Sequence, residues 1–325
     1  MIVTKTPLRI SFFGGGSDIP EFYREHEGVV VSAAINSYIY IAAHQCVAPH
    51  LKVIYSQLEL EHDIENIKHD RVREVLKHFG MTTNMEIASF SNIPTKGTGL
   101  GSSSTFTVGL IHALSVMKNQ SVYPWVLAET ASKIEIDKCK EPIGKQDQYA
   151  AAYGGLRIYQ FKKNEDVIRR NFKHEKSIAE SLQKNLLCFN TGMVRPAASV
   201  LGEQVRNLKT NVNVDNTKRI VDFAWEAIHL LDAEKYDMFG ELLDSSWQIK
   251  KKLSSNVSNE YIDKMYNTAM ENGALGGKIL GAGGGGYLLM YVPEERQAKV
   301  LDAMKGYPRF EFNFDHEGSR VEMDS

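Results

Sequence analysis

Cysteine is scarce: Cys46, Cys139 and Cys188 are the chain's three, and no two are close in sequence. That leaves no basis for a disulfide framework or a thiolate metal site, and an odd, sparse set suits a reducing compartment. The ten histidines are scattered and never form His-Glu-x-x-His. No apolar stretch approaches a membrane span, and the first residues, which carry Lys5 and Arg9, include no run of signal-peptide length. An excess of one charge is missing too: 38 Lys and Arg stand against 40 Asp and Glu, for −2 overall, with no basic block. These absences argue against nucleic acid or a membrane as the main partner, and a cytoplasmic location is expected. The P-loop pattern is also absent, because Gly277-Lys278 leads into Ile279 and Gly144-Lys145 into Gln146.

What the chain does have is glycine in organised runs. In Pro94-Thr95-Lys96-Gly97-Thr98-Gly99-Leu100-Gly101-Ser102-Ser103-Ser104, three alternate glycines cannot sit inside a stable helix or strand. Phe106, Val108, Leu110, Ile111 and Leu114 follow at helical spacing. The stretch therefore reads as a glycine loop feeding a helix N-terminus, where free N–H groups and the helix dipole favour an anion, a triphosphate above all. A flexible, serine-capped surface loop is the alternative. A second run, Gly281 to Gly286, formally contains Gly-x-Gly-x-x-Gly, but a strand pattern and not a helix follows it, so a dinucleotide fold is rejected. An apolar strand on each side places this loop against the core, where close approach to a backbone or ligand explains the glycines.

The length of 325 residues suggests about two domains. Strand patterns cover 1–13, 29–46, 51–60, 85–90 and 156–161, with helical patterns over 64–79, after the glycine loop and from Pro124 to about Cys139. A polar, lysine-rich region at 162–184 marks the expected boundary, giving domains 1–170 and 171–325. Beyond it come a strand at 185–189, helices over 197–273 broken near 210–216 and 253–259, strands at 276–280 and 287–292, a helix over 294–304, a last strand at 310–314 and a frayed tail from Gly318. Strands and helices in mixed order fit an α+β fold.

Several polar residues invite two readings each. Asp147, among small and aromatic residues, is either a helix-capping carboxylate or a proton acceptor paired with a cation that keeps it ionised. Arg9 and Asp18 flank the turn Gly14-Gly15-Gly16-Ser17-Asp18; they are a surface cation and a turn residue, or part of a site. Glu135 is a solvent-facing charge or a magnesium ligand beside phosphates. Arg195, after Thr191-Gly192, is a surface arginine or a bidentate anion contact.

Three stretches in order, Pro7 to Asp18, Pro94 to Ser104 and Lys278 to Gly286, with Gln146-Asp147-Gln148 between them, resemble the motifs of the GHMP kinases. The resemblance spans nearly the whole chain. It implies a ribosomal S5 domain 2-like N-terminal half, a ferredoxin-like C-terminal half, and ATP with Mg2+ as cofactors. It makes Asp147 and Arg9 the catalytic pair, and Gly97, Gly99, Leu100, Gly101, Ser102, Ser103 and Ser104 the phosphate binders. Gly15, Gly16, Ser17, Asp18, Thr191, Arg195, Gly283 and Gly284 would meet the substrate, and Ser103 with Glu135 would hold the metal, Ser104 being the alternative hydroxyl. Within the family Ser11 to Pro20, the stretch around Asn36-Ser37-Tyr38, and Phe189-Asn190-Thr191-Gly192 with Arg195 look like sugar-1-kinases whose acceptor is a heptose 7-phosphate in surface-polysaccharide synthesis, with L-fucose kinases a near relative. Gly15 and Gly16 replace the Glu-His of galactokinases, against galactose. An acceptor that already carries a phosphate needs a further cation, Arg195 or Lys5. The expected partners are thus a small sugar phosphate and ATP, with a homodimer compatible but not indicated by any residue pattern. A catalytically inactive binding protein on the same fold is the reading of another class.

Overall fold

A computed structural model describes the whole chain apart from Thr95, Lys96, Ser121, Arg195, Pro196 and Ser325, and apart from the side chains of Ala197 and Ala198. The chain opens with β1 (Ile2–Phe13), α1 (Pro20–His26) and β2 (Gly28–Gln45), the last an 18-residue strand rich in Val, Ile, Ala and Tyr. Next come β3 (Leu51–Ile54), β4 (Leu58–Glu61), α2 (Asp70–Phe79) and β5 (Met85–Ser91). The length of β2 organises the first sheet. One edge pairs antiparallel with β1, while the other takes β5 along residues 39–45 and β6 (Leu156–Phe161) along 28–33. Glycine loop and sheet meet through α3 (Ser102–Met117), which runs across β1 and β2 and is buried on nearly every side. A helix that is apolar all round belongs in an interior.

The helix read from Pro124 changes character midway. α4 (Pro124–Ser132) runs into a π-helical segment over Lys133–Lys138. Such bulges recur at functional sites, and this one carries Glu135. After α5 (Gln146–Tyr153) and β6, the polar region read as a boundary holds β7 (Val167–Asn171), an exposed edge strand on β6, and α6 (Glu175–Lys184), which buries Ile178, Ala179 and Leu182. Charged residues fill the open faces of both elements, and that masked their periodicity.

The second sheet is antiparallel, ordered β8-β10-β9 from β8 (Leu186–Asn190), β9 (Gly276–Ile279) and β10 (Tyr287–Tyr291). Its helices are α7 (Ala197–Lys209), α8 (Val214–Asp232), α9 (Tyr236–Lys250), α10 (Glu260–Glu271) and α11 (Gln297–Ala303). Phe239 of α9 meets Phe13 and Phe12 of β1 edge-on, at ring separations of 5.1 and 5.8 Å, tying the two sheets into one core. Lys278 is buried at the same junction and donates to the carbonyls of Ser11 and Phe12, both at 2.8 Å.

Two expectations fail here. Residues 310–314 form no sheet strand; they cross between the sheets, with single bridges Phe189↔Arg309 and Ile35↔Phe314. The tail is not frayed: β11 (Arg320–Asp324) pairs antiparallel with β1 at Ile2–Lys5. The chain thus returns to its first sheet, and a simple split at residue 170 does not describe it. Among the described residues no helix is long and apolar enough to cross a membrane.

Candidate active site

The glycine loop turns through left-handed backbone at Gly97, Gly99 and Gly101, with φ of 67°, 73° and 79°. It delivers Ser102 as the first residue of α3, and no side chain caps that end. The loop is held by contact with the second glycine run. A Cβ on Gly281 would stand 2.5 Å from Cα of Gly99, and one on Gly99 would stand 2.3 Å from the carbonyl oxygen of Leu280. Two backbones pressed this closely, both at positive φ, admit no side chain at either position.

Arg9 on β1 fixes the loop from beneath. Its backbone N–H donates to the Leu100 carbonyl at 3.0 Å and its Nη1 donates to the Gly99 carbonyl at 2.6 Å. The same guanidinium donates from Nε and Nη2 to Oδ1 and Oδ2 of Asp147, at 2.7 and 2.6 Å. Asp147 lies in the first turn of α5, which has no side-chain cap, so the capping reading falls away. Its carboxylate lies against the loop: a Cβ on Gly101 would be 3.3 Å from Oδ2.

Asp18 is buried beside this pair. It accepts from the N–H of Gly16 at 3.0 Å, from the N–H of Gln146 at 3.1 Å and from Nε2 of Gln146 at 2.9 Å. Burial pushes its pKa up, against the pull of those hydrogen bonds and with a push from the Asp147 charge. Nearby, Ser11 Oγ and Gln146 Oε1 are buried without a hydrogen-bond partner among the described residues. Both residues border a cleft of about 480 Å³ that also touches Arg9, Gly15, Asp18 and Asp147. Orphan polar atoms of this kind call for a polar ligand or water.

A second cavity of about 460 Å³ is walled by Tyr55, His69, Phe90, Ile93 and Phe106. It shares Arg71, Ser102 and Ser103 with the cleft, so the two spaces adjoin at the start of α3. These aromatic walls, Arg71 and Lys250 were missed in the sequence. They carry no motif, and only the fold brings them to the glycine loop.

Glu135 is fully buried, contrary to a solvent-facing charge. One oxygen accepts from Arg71 Nε and Thr107 Oγ1, both at 2.8 Å; the other accepts from Ser104 Oγ at 2.7 Å and from Gln148 Nε2. Four protein donors occupy the carboxylate, and Arg71 also pairs with Glu141 at 3.0 Å. Magnesium demands free oxygen ligands in near-octahedral geometry. Ser103 opens to the cleft, but Glu135 offers no free lone pair, so the residues do not fit a metal bound directly between these two.

Other expected contacts are turned away. The Leu100 and Ser17 side chains are buried, and Ser17 Oγ donates to the Gly14 carbonyl at 2.7 Å. Thr191 is locked onto the Gly286 carbonyl through both its N–H and its hydroxyl, each at 2.9 Å. Gly283 and Gly284 pack on Val257, whose carbonyl accepts from the Gly284 N–H at 2.8 Å. Lys5 lies over the Tyr38 ring at 4.3 Å and pairs with Glu322 at 3.7 Å, outside the cleft lining. Arg195 lies outside the described residues. Gly15, Gly16, Gly97, Gly101, Ser102, Ser103 and Ser104 do border the cleft with Arg9, Asp18 and Asp147.

Comparison with known proteins places this geometry. The GHMP kinases N terminal domain matches residues 67–155, and GHMP kinases C terminal matches residues 227–308. The D-glycero-alpha-D-manno-heptose 7-phosphate kinase of Campylobacter jejuni is 28% identical, covering 98% of this chain and 97% of that protein. The bifunctional fucokinase/GDP-fucose pyrophosphorylase of Arabidopsis thaliana is 25% identical, covering 91% of this chain and 30% of that protein. The crystal structure of a D-glycero-D-manno-heptose 1-phosphate kinase from Bacteroides thetaiotaomicron shares the fold, with a TM-score of 0.82, 22% identity and complete coverage of both chains.

Proposed function

The chain belongs to the GHMP kinases, and from that premise we propose that it moves the terminal phosphoryl group of ATP to the anomeric hydroxyl of D-glycero-D-manno-heptose 7-phosphate, giving the 1,7-bisphosphate, a precursor step for bacterial surface polysaccharide. One observation carries the reading: a carboxylate clamped by a guanidinium, Asp147 on Arg9, stands against the glycine loop that opens α3.

Phosphoryl transfer needs positioning and charge neutralisation more than covalent help. The amides of Gly97 to Ser104 and the dipole of α3 receive the phosphates. The aromatic cavity at Tyr55, His69 and Phe106 is apolar enough for the base and adjoins the loop at Ser102 and Ser103. Asp147 takes the proton from the sugar hydroxyl. An anomeric hydroxyl is more acidic than an ordinary alcohol, so a carboxylate suffices as base. Arg9 holds that carboxylate in place. Asp18, Ser11 and Gln146, with Gly15 and Gly16 leaving room, meet the sugar's hydroxyls; the unpaired Ser11 Oγ and Gln146 Oε1 support this.

The acceptor rests on the heptose phosphate kinase of Campylobacter jejuni, with L-fucose or another unphosphorylated sugar as the competing acceptor. A coupled assay of ADP release over sugars with and without a terminal phosphate decides between them. Heptose 7-phosphate should give the highest kcat/KM. Preference for an unphosphorylated sugar sinks the acceptor assignment, and sugar binding without ADP release sinks the enzymatic one.

A further inference from the structure

Three cations border the cleft among the described residues, and two have carboxylate partners. Arg9 is paired with Asp147, and Arg71 with Glu135 and Glu141. The third, Lys250 at the last turn of α9, is paired with none. The residue is 7% exposed, and its Nζ donates to one described acceptor, the Gly281 carbonyl, at 2.5 Å. An ammonium carries three donors, so two remain for whatever enters the cleft. A buried cation with no carboxylate paired directly on it is expensive unless an anion arrives. Burial, reinforced by the Arg9 charge and only partly offset by the Asp18 carboxylate, accordingly lowers the pKa of Lys250 to about 8.

Its position says which anion. The carbonyl it holds belongs to Gly281, the residue pressed on Gly99 of the glycine loop. On the other side of Gly99, its carbonyl receives Arg9 Nη1 at 2.6 Å. Lys250 and Arg9 therefore flank one point of the loop from two domains, with Asp147 beside it.

We infer that the Lys250 ammonium binds the oxygens of the phosphoryl group being transferred, as the counter-charge that the second domain supplies to the nucleotide's terminal phosphate. Arg9 is engaged by Asp147, so Lys250 is the cation left to follow the charge as that group passes to the acceptor. The inference rests on the kinase reading and not on which sugar is the acceptor. The phosphate of a sugar phosphate has the same chemistry, so the test separates the two sources.

Affinities of a nonhydrolysable ATP analogue and of ADP are measured by calorimetry, without acceptor, for the full-length protein and for Lys250→Gln and Lys250→Arg, with thermal melting to verify folding. Lys250→Gln should weaken the analogue about tenfold or more while changing ADP by less than about twofold, and Lys250→Arg should recover part of the difference. The wild-type kcat/KM should fall as pH rises through about 8, in a field set by Arg9, Asp18 and Lys278, and this limb should move upward in Lys250→Arg. Equal weakening of both nucleotides overturns the inference. So does an unchanged analogue affinity with a raised KM only for phosphorylated acceptors, which would give the ammonium to the sugar's phosphate. A wild type that tells the analogue from ADP but ignores heptose phosphate leaves this inference standing and removes the acceptor assignment.

Discussion

Arg9 grips Asp147 through two parallel hydrogen bonds of 2.7 and 2.6 Å, and with its remaining nitrogen it holds the Gly99 carbonyl at 2.6 Å. One side chain thus sets both the proposed base and the loop facing it. Asp147→Asn should lower kcat by at least about 100-fold, as for a removed general base. Near-wild-type turnover in that variant takes the role of base from Asp147. Arg9→Lys keeps the charge but loses the fork; steady-state kinetics should record a fall in kcat larger than any rise in KM.

The Glu135 cluster gives the opposite pattern. Removing one partner of a buried ion pair costs about 3–5 kcal/mol, so Arg71→Ala should lower the denaturation midpoint sharply. Because four protein donors already occupy Glu135, Glu135→Gln should change the magnesium concentration for half-maximal rate by less than about twofold. A large rise in that requirement would show that the carboxylate exchanges its donors for the ion.

Gly281→Ala tests the contact between the two loops. Its Cβ would fall 2.5 Å from Gly99 Cα, at a φ of 69°. The expected outcome is a protein with near-native circular dichroism that loses most nucleotide affinity by calorimetry. Unchanged affinity would mean that the loop shape does not depend on this contact.

Lys250 should trade stability for function. Its pKa in the fold, about 8, lies below the usual lysine value, so its contribution to stability is fully present above that usual value and is lost as pH falls through about 8. At pH 7 the buried charge therefore destabilises, and Lys250→Met should melt at a higher temperature than the wild type. The gap should narrow between about pH 8 and pH 10.5. A Lys250→Met protein that is less stable at pH 7 contradicts this balance.

Much of the site was readable where backbone requirements leave a mark on residue type. The glycines at 97, 99 and 101, and those at 281, 283, 284 and 286, all take positive φ, and the fold presses Gly281 on Gly99 and Gly286 on Thr98. Asp147 and Arg9 were legible through their neighbours. Lys250 and Arg71 were not, because a lysine or arginine on an amphipathic helix looks the same whether it meets solvent or a cleft. Glu135 was found, but its surroundings were hidden: its partners come from α2, α3 and α5, far apart in sequence. β7 and α6 were obscured by their charged outer faces. The tail looked frayed because its residues are polar, yet an edge position on β1 requires only backbone pairing.

That last pairing has a consequence for biogenesis. β11 shields the outer rim of β1 at Ile2–Lys5, and Ser319 just before it hydrogen-bonds Thr6 at 2.8 Å and His112 at 2.9 Å. β1 is translated long before its partner β11 and waits for it. Until residues 319–324 leave the ribosome, the rim of β1 is a bare ladder of N–H and C=O groups, a template for any other extended chain. Stalled or prematurely terminated products carry that sticky border permanently, so their route to self-association is one the finished protein has closed.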